Sequence, residues 1–302
     1  MSKIDRYVIV VDKEGYQIGN EIPMKSNEVV NIEKRSKVLT PTQKRIINNK
    51  EDMKLFNDDN GGFVAIYYVK NELLFNELEL DLASISRIIY LATYLDYQEN
   101  ILVMNGGASS GKAKTPMKRK EMQLVLKLGD TAFKKFLKDV NDNNLLIEED
   151  GLYKLNRDYF SNGKVDKNKA YTRIYVNTVR ELYEGCKPTQ HKTLSYIFRL
   201  IPKIHYDTNT ICHNSSDEVP EHMNLKEICE FLGVNSDNST RLKKDLTKFH
   251  IFKNEMKYNL LAYITVEIDG TIKGYFAVNP MVVYGGSNYE EVKNLIGKLF
   301  FK

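Results

Sequence analysis

The chain has 302 residues, 42% hydrophobic and 28% charged, with a net charge of +4. That length leaves room for two domains with cores of their own, and the composition is that of an ordinary globular protein. No apolar run approaches a membrane span, the start MSKIDRYVIVVDKEG lacks a secretory signal's apolar region and cleavage site, and three cysteines without a C-x-x-C pair argue against a disulfide framework. A cytoplasmic protein with no membrane partner is expected. The charge excess is too small to indicate a nucleic acid by itself, so the clustering of Lys and Arg must carry that argument.

Residues 1–60 read as an accessory segment. The β-rich run 7–11, turn chemistry at 12–15 and the run 16–18 predict a hairpin. Thr40 and Pro41 supply an N-cap and a first helical residue, opening a polar helix to about Phe56. Lys34, Arg35, Lys37, Lys44 and Arg45 make the segment basic, and a solvated helix face is expected there rather than a DNA-binding arm.

From Phe63 onward the chain contains one unit twice. Residues 85–105 align without a gap on 194–214, an offset of 109, pairing Ser86 with Ser195, Leu91 with Leu200, Tyr97 with Tyr206 and Asn100 with Asn209. Residues 117–146 align on 223–252, an offset of 106, pairing Met117 with Met223, Glu121 with Glu227 and Leu126 with Leu232. Two copies imply a tandem domain, since a solenoid needs at least three repeats.

In the first copy Leu82, Ile85, Ile88, Ile89, Leu91, Ala92 and Leu95 form a helical stripe. A short strand at 100–104, a helix at 118–126 and a turn through Leu128 and Gly129 follow. Asp130 is placed as the N-cap of a third helix reaching about Asn143, and a hairpin follows over 145–155. Residues 161–170 are polar and aperiodic, a linker. A helix over 176–183 leads into the second copy, whose third helix runs from about Ser236 to Lys248. Its closing hairpin pairs 258–268 with 272–278, and a last helix, 288–302, shows a stripe of Tyr289, Val292, Leu295, Ile296 and Leu299. Docking of that stripe on its own domain is the default expectation, and pairing with a second protomer the alternative.

Helix, strand, helix, turn, helix and hairpin is the order of a winged helix-turn-helix, in which the second helix of the pair enters the major groove. The expected fold class is α+β, mainly α: tandem winged helix-turn-helix domains with an N-terminal accessory segment and a C-terminal helix. Its parts are 1–60, 61–160, the linker 161–170, and 171–302. In the second copy Asn238, Thr240, Arg241, Lys244 and Lys248 line the polar face over buried Leu242 and Leu246. Asn reads adenine and Arg reads guanine bidentately, while Lys anchors phosphate. The counterparts in the first copy are Thr131, Lys134, Lys135 and Lys138, which offer charge with few base-reading groups. Lys112, Lys114, Lys118, Arg119 and Lys120 add a basic run suited to phosphate. Double-stranded DNA is the expected partner.

Other constellations weigh less. Residues 106–113 fit G-x-x-x-x-G-K, but Ala113 stands where a Walker loop needs Ser or Thr, and Pro116 interrupts the helix that would follow. Cys212, His213, His222 and Cys229 match no standard zinc spacing. No catalytic set stands out, so no enzyme, cofactor or metal is expected.

With both copies in view the chain resembles the winged-helix replication initiators of Firmicute plasmids and phages. The likeness spans roughly 62–286 and rests on Gly62, Phe63 and Val64 opening the first domain, on the helix-turn-helix blocks, and on the run 275–280 (YFAVNP) closing the second, echoed at 155–160 (LNRDYF). It implies origin or operator binding by Asn238, Thr240, Arg241 and Lys244, recruitment of host replication or transcription proteins, and nothing catalytic. A phage transcription regulator and a winged-helix protein-interaction module are the alternatives.

Overall fold

The computed structural model describes residues 6–8, 22–24, 40–67, 78, 80–97, 99–104, 115–163, 165–166, 169–268 and 270–300. The chain opens on a short antiparallel pair, β1 (Arg6–Val8) with β2 (Ile22–Met24), in which Tyr7 faces Pro23. The expected partner strand at 16–18 and the turn before it lie outside the described residues. Helix α1 (Pro41–Asp59) starts where Thr40 and Pro41 place it. Thr40 Oγ1 accepts from the Gln43 N–H at 3.2 Å, and Gln43 Oε1 accepts from the Thr40 N–H at 2.9 Å, a reciprocal cap. Its later turns bury Met53 and Phe56, and the Phe56 ring meets Tyr175 edge-on at 5.2 Å.

The first copy begins with β3 (Phe63–Tyr67), almost wholly buried. Helix α2 (Leu82–Ala92) is capped by Asp81, whose Oδ1 accepts from the Ala83 N–H at 2.8 Å. Every residue from Ser84 to Ala92 is buried, as befits a helix that is apolar nearly all round. The strand expected at 100–104 exists only as isolated bridges, Ile101 to Lys154, Leu102 to Leu95 and Val103 to Pro116. Asn100, at φ 56°, turns the chain left-handed just before them. Next come α3 (Arg119–Val125) and α4 (Asp130–Asp142). Gly129, not Asp130, is the N-cap of α4; the Asp130 carboxylate accepts instead from Gln123 Nε2 at 2.7 Å. Strands β4 (Leu146–Glu149) and β5 (Leu152–Leu155) turn through Asp150 and Gly151 at φ 51° and 72°, the backbone of a two-residue type I′ turn. Then β6 (Phe160–Ser161) joins the central sheet.

The second copy runs β7 (Tyr171–Tyr175), α5 (Val176–Glu184), α6 (His191–Arg199), α7 (Leu225–Leu232) and α8 (Ser239–Thr247), with α6, α7 and α8 in the places of α2, α3 and α4. Gly233 ends α7 at φ 67°, the left-handed cap that favours glycine. A single 3-10 turn, Ser236–Asn238, separates it from α8, so the regular helix starts three residues after the expected Ser236. Next comes a hairpin with no counterpart in the first copy, β8 (His250–Lys253) with β9 (Met256–Asn259). The Leu260 N–H bonds to the Phe249 carbonyl at 3.1 Å and closes it off, so Tyr258 belongs to this insertion and not to the long strand expected over 258–268. The long hairpin is β10 (Leu261–Ile268) with β11 (Thr271–Val278). After β12 (Val283–Tyr284), α9 (Tyr289–Leu295) continues as a π-helical turn through Phe300. Val292 and Phe300 are buried while Tyr289, Ile296 and Leu299 rest on the core, so most of the stripe docks within its own unit.

The chain forms two compact units, Met1–Arg45 and Ile46–Lys302. Both copies lie in the second unit and share one sheet, of order β12-β7-β3-β6. Ala65 faces Arg173 at the centre; Ile66 faces Phe160 just as Ile174 faces Val283. Exchanging the copies maps this pairing onto itself, the mark of a local two-fold axis. Hydrogen bonds repeat in step. The Leu102 N–H reaches the Tyr153 carbonyl and the Ile211 N–H the Phe276 carbonyl, each at 2.8 Å. Asn100 Nδ2 donates to the Leu155 and Phe160 carbonyls at 3.4 and 2.6 Å, and Asn209 Nδ2 to those of Val278 and Val283 at 2.9 and 2.8 Å. The polar stretch after Phe160 starts inside this fold: Ser161 and Asn162 are buried, and Asn162 Nδ2 donates to the Leu95 carbonyl at 2.7 Å.

Candidate nucleic-acid interface

In each copy two helices joined by a short turn present the second helix with one face buried and the other open. Helix α4 buries Phe133, Phe136, Leu137 and Val140; α8 buries Leu242 and Leu246. Thr131, Lys134, Lys135 and Lys138 on the first, and Asn238, Thr240, Arg241, Lys244 and Lys248 on or beside the second, are all exposed, as are Lys118 and Arg119 at the start of α3. Apolar residues three and four apart turn inward, leaving the polar ones as a stripe. Lys112 and Lys114 of the basic run, and the glycine-rich stretch 106–113, lie outside the described residues.

The two stripes differ electrostatically. On α4, Lys135 is paired with Asp81, the cap of α2, and Lys138 with Asp142 at 2.5 Å. The hydrogen bonds that the two ammonium groups donate to those carboxylates push both lysines up. Burial pushes the Asp81 carboxyl up, but hydrogen bonds from Lys135 and from the Ala83 N–H outweigh it and hold the group below its ordinary value. On α8, Asp245 takes Lys248 at 3.0 Å and lies 3.9 Å from Arg241 Nε. Lys243 stands 3.3 Å above the Tyr263 ring and ties α8 to β10, a contact invisible in sequence because Tyr263 lies on a distant strand.

A cleft of about 290 Å³ opens between α6 and α8, lined by Lys192, Thr193, Tyr196, Asn238, Arg241 and Asp245. Lys192 and Tyr196 are not among the expected site residues; they lie on α6, away from the helix-turn-helix that supplies those residues. In the first copy the corresponding helices are closed together, Ser84 Oγ donating to Asp139 Oδ2 at 2.9 Å. The hairpins differ as well. The tip of β4 and β5 exposes Glu148, Glu149 and Asp150, with Lys154 bonded to Glu149 at 2.6 Å, whereas β10 and β11 expose Thr265, Glu267, Thr271 and Lys273.

Among the described residues no group of three or more His, Cys, Asp or Glu side chains is placed to hold a metal ion. His222 stacks on Tyr275 at 3.8 Å, and Cys212 and Cys229 are buried. No described helix is long and apolar enough to cross a membrane. No protein-family model, no curated protein and no solved structure matches the chain.

Proposed function

We propose that the chain is a non-enzymatic, sequence-specific double-stranded DNA-binding protein built as two winged helix-turn-helix domains, and that it acts as a replication initiator of a phage or plasmid. One observation carries the reading: on two frames that share a set of matched hydrogen bonds, the second helix of the pair shows an open polar stripe, the element that enters the major groove in this class of fold. Helix α8 is the reader, through Asn238 and Arg241, since Arg and Asn are the bidentate partners of guanine and adenine. Helix α4 supplies charge from Lys134, with Lys135 and Lys138 exchanging their carboxylates for phosphates.

The local two-fold axis supports a site with two inverted, unequal arms bound by one protomer. An inverted arrangement within one site therefore does not distinguish a transcription regulator from an initiator. The arrangement of whole sites does: clustered direct repeats mark an initiator, and a single site over a promoter marks a regulator. Selection of bound duplexes from a random pool tests the reading. A two-armed consensus is expected, and recovery of no sequence above the random background overturns it.

A further inference from the structure

Helix α5 is fastened to the first helix pair and to the hairpin that follows the second. On one side Tyr183 Oη donates at 2.9 Å to the Leu126 carbonyl, which closes α3 just before the turn into α4. The Tyr183 ring is the middle of a three-ring stack, 4.0 Å from Tyr90 of α2 at 10° and 4.3 Å from His191 of α6 at 25°. All three residues are buried. Arg180 adds a bond from Nη2 to the Thr93 carbonyl at 2.7 Å, where α2 ends. On the other side Glu181 Oε1 accepts the Phe252 N–H at 2.7 Å, in the hairpin that follows α8. Residues two apart on a helix point to nearly opposite sides. A short rigid bar is thus pinned to the first pair by Tyr183 and, by Glu181, to the hairpin that continues directly from α8, the insertion that the first copy lacks.

We propose that Tyr183 and Glu181 are specificity-determining positioning residues. They fix the offset between α4 and α8, so the chain selects DNA by the distance between the two arms of a site as well as by their sequence. The inference rests on the DNA-binding reading; neither residue is a DNA contact.

The test uses the full chain, its Tyr183→Phe, Glu181→Ala and Glu181→Gln variants, and duplexes carrying the selected site with one base pair added or removed between the arms. The preference for native over altered spacing should fall about two- to ten-fold in Tyr183→Phe and Glu181→Ala, the range set by one hydrogen bond's net contribution. Glu181→Gln keeps an acceptor and should retain the preference, and binding to the α8 arm alone should not change. Folded variants with the parent's spacing preference overturn the proposal. A second readout needs no DNA: spin labels on Lys134→Cys and Lys244→Cys, in a Cys186→Ser background, report the distance between α4 and α8. A narrow distribution in the parent that broadens in Tyr183→Phe and Glu181→Ala supports the proposed pinning. An unchanged distribution overturns it. Broadening in a chain that binds no duplex overturns the DNA reading instead.

Discussion

Asn100 and Asn209 show what a single matched residue can mean. Their identity is visible in the aligned sequence, but its cause is structural: each is buried, sits at φ 56° or 54°, and uses one amide to hold two carbonyls from different strands. Asn tolerates the left-handed region, and its amide NH₂ supplies two donors. Removing it leaves buried acceptors unpaired, so Asn209→Ala should cost about 2–4 kcal/mol; a loss of unfolding free energy below a quarter of that, read from denaturant titration, would contradict the role. His191 makes a different prediction. Burial, with the charges of Arg87 and Lys127 nearby, holds its imidazole down to about 4. The native state keeps the ring neutral while the unfolded chain takes up a proton near pH 6.5. This contribution to stability is complete above about 6.5 and is lost as the pH falls toward about 4, on the order of 3 kcal/mol in all. His191→Phe should flatten the stability profile in that window. His222 is also held down, by burial and by His205, so some slope should persist. An unaltered profile would show that His191 titrates normally.

At the scale of elements, the helices of both pairs were legible because their apolar spacing and caps are local. Gly233 and the Asn224–Glu227 cap mark the ends of α7 in the sequence itself. The inserted hairpin was not legible, since it turns through Asn254 and Glu255 at φ 50° and 66° without a glycine to announce it. Lys138 and Asp142 stand four apart, a pairing that helical spacing offers, but no spacing could show that Lys135 pairs with Asp81 of another element while Lys134 has no carboxylate partner among the described residues. Carboxylates engage cations on both helices, so what separates the two as DNA elements is the Asn238 and Arg241 of α8, which α4 lacks. Arg241→Ala should weaken specific binding by roughly 1–3 kcal/mol and relax one base position. Lys118→Ala and Lys134→Ala should weaken specific and random duplexes alike, each lowering the salt slope by about one. Titrations of both duplex types at several salt concentrations separate the outcomes, and parent-like binding by Arg241→Ala removes α8 as the reader.

At the scale of the whole molecule, the repeat was readable as a tandem, but the joining of its copies was not. Pairing of β3 with β7 depends on residues some hundred positions apart, and both strands are short, β7 carrying Thr172 and Arg173, so that no local pattern names the partner of either. The consequence is geometric. Two domains on a loose tether would meet DNA independently, whereas two that share a sheet present α4 and α8 in one fixed relation about the axis through Ala65 and Arg173. A single protomer should therefore protect two major-groove segments on one face of the duplex, about 10–10.5 bp apart centre to centre, because that spacing returns the groove to the same face. Protection should be stronger over the arm read by Asn238 and Arg241, and inserting residues at 164–168, beyond β6 and the buried Asn162, should matter little, since the shared sheet and the bonds of α5 hold the spacing. Hydroxyl-radical footprinting of a monomer on its selected site measures all three. Protection of one segment only would mean that α4 does not reach the groove, leaving its lysines to their carboxylates and the first copy to another partner.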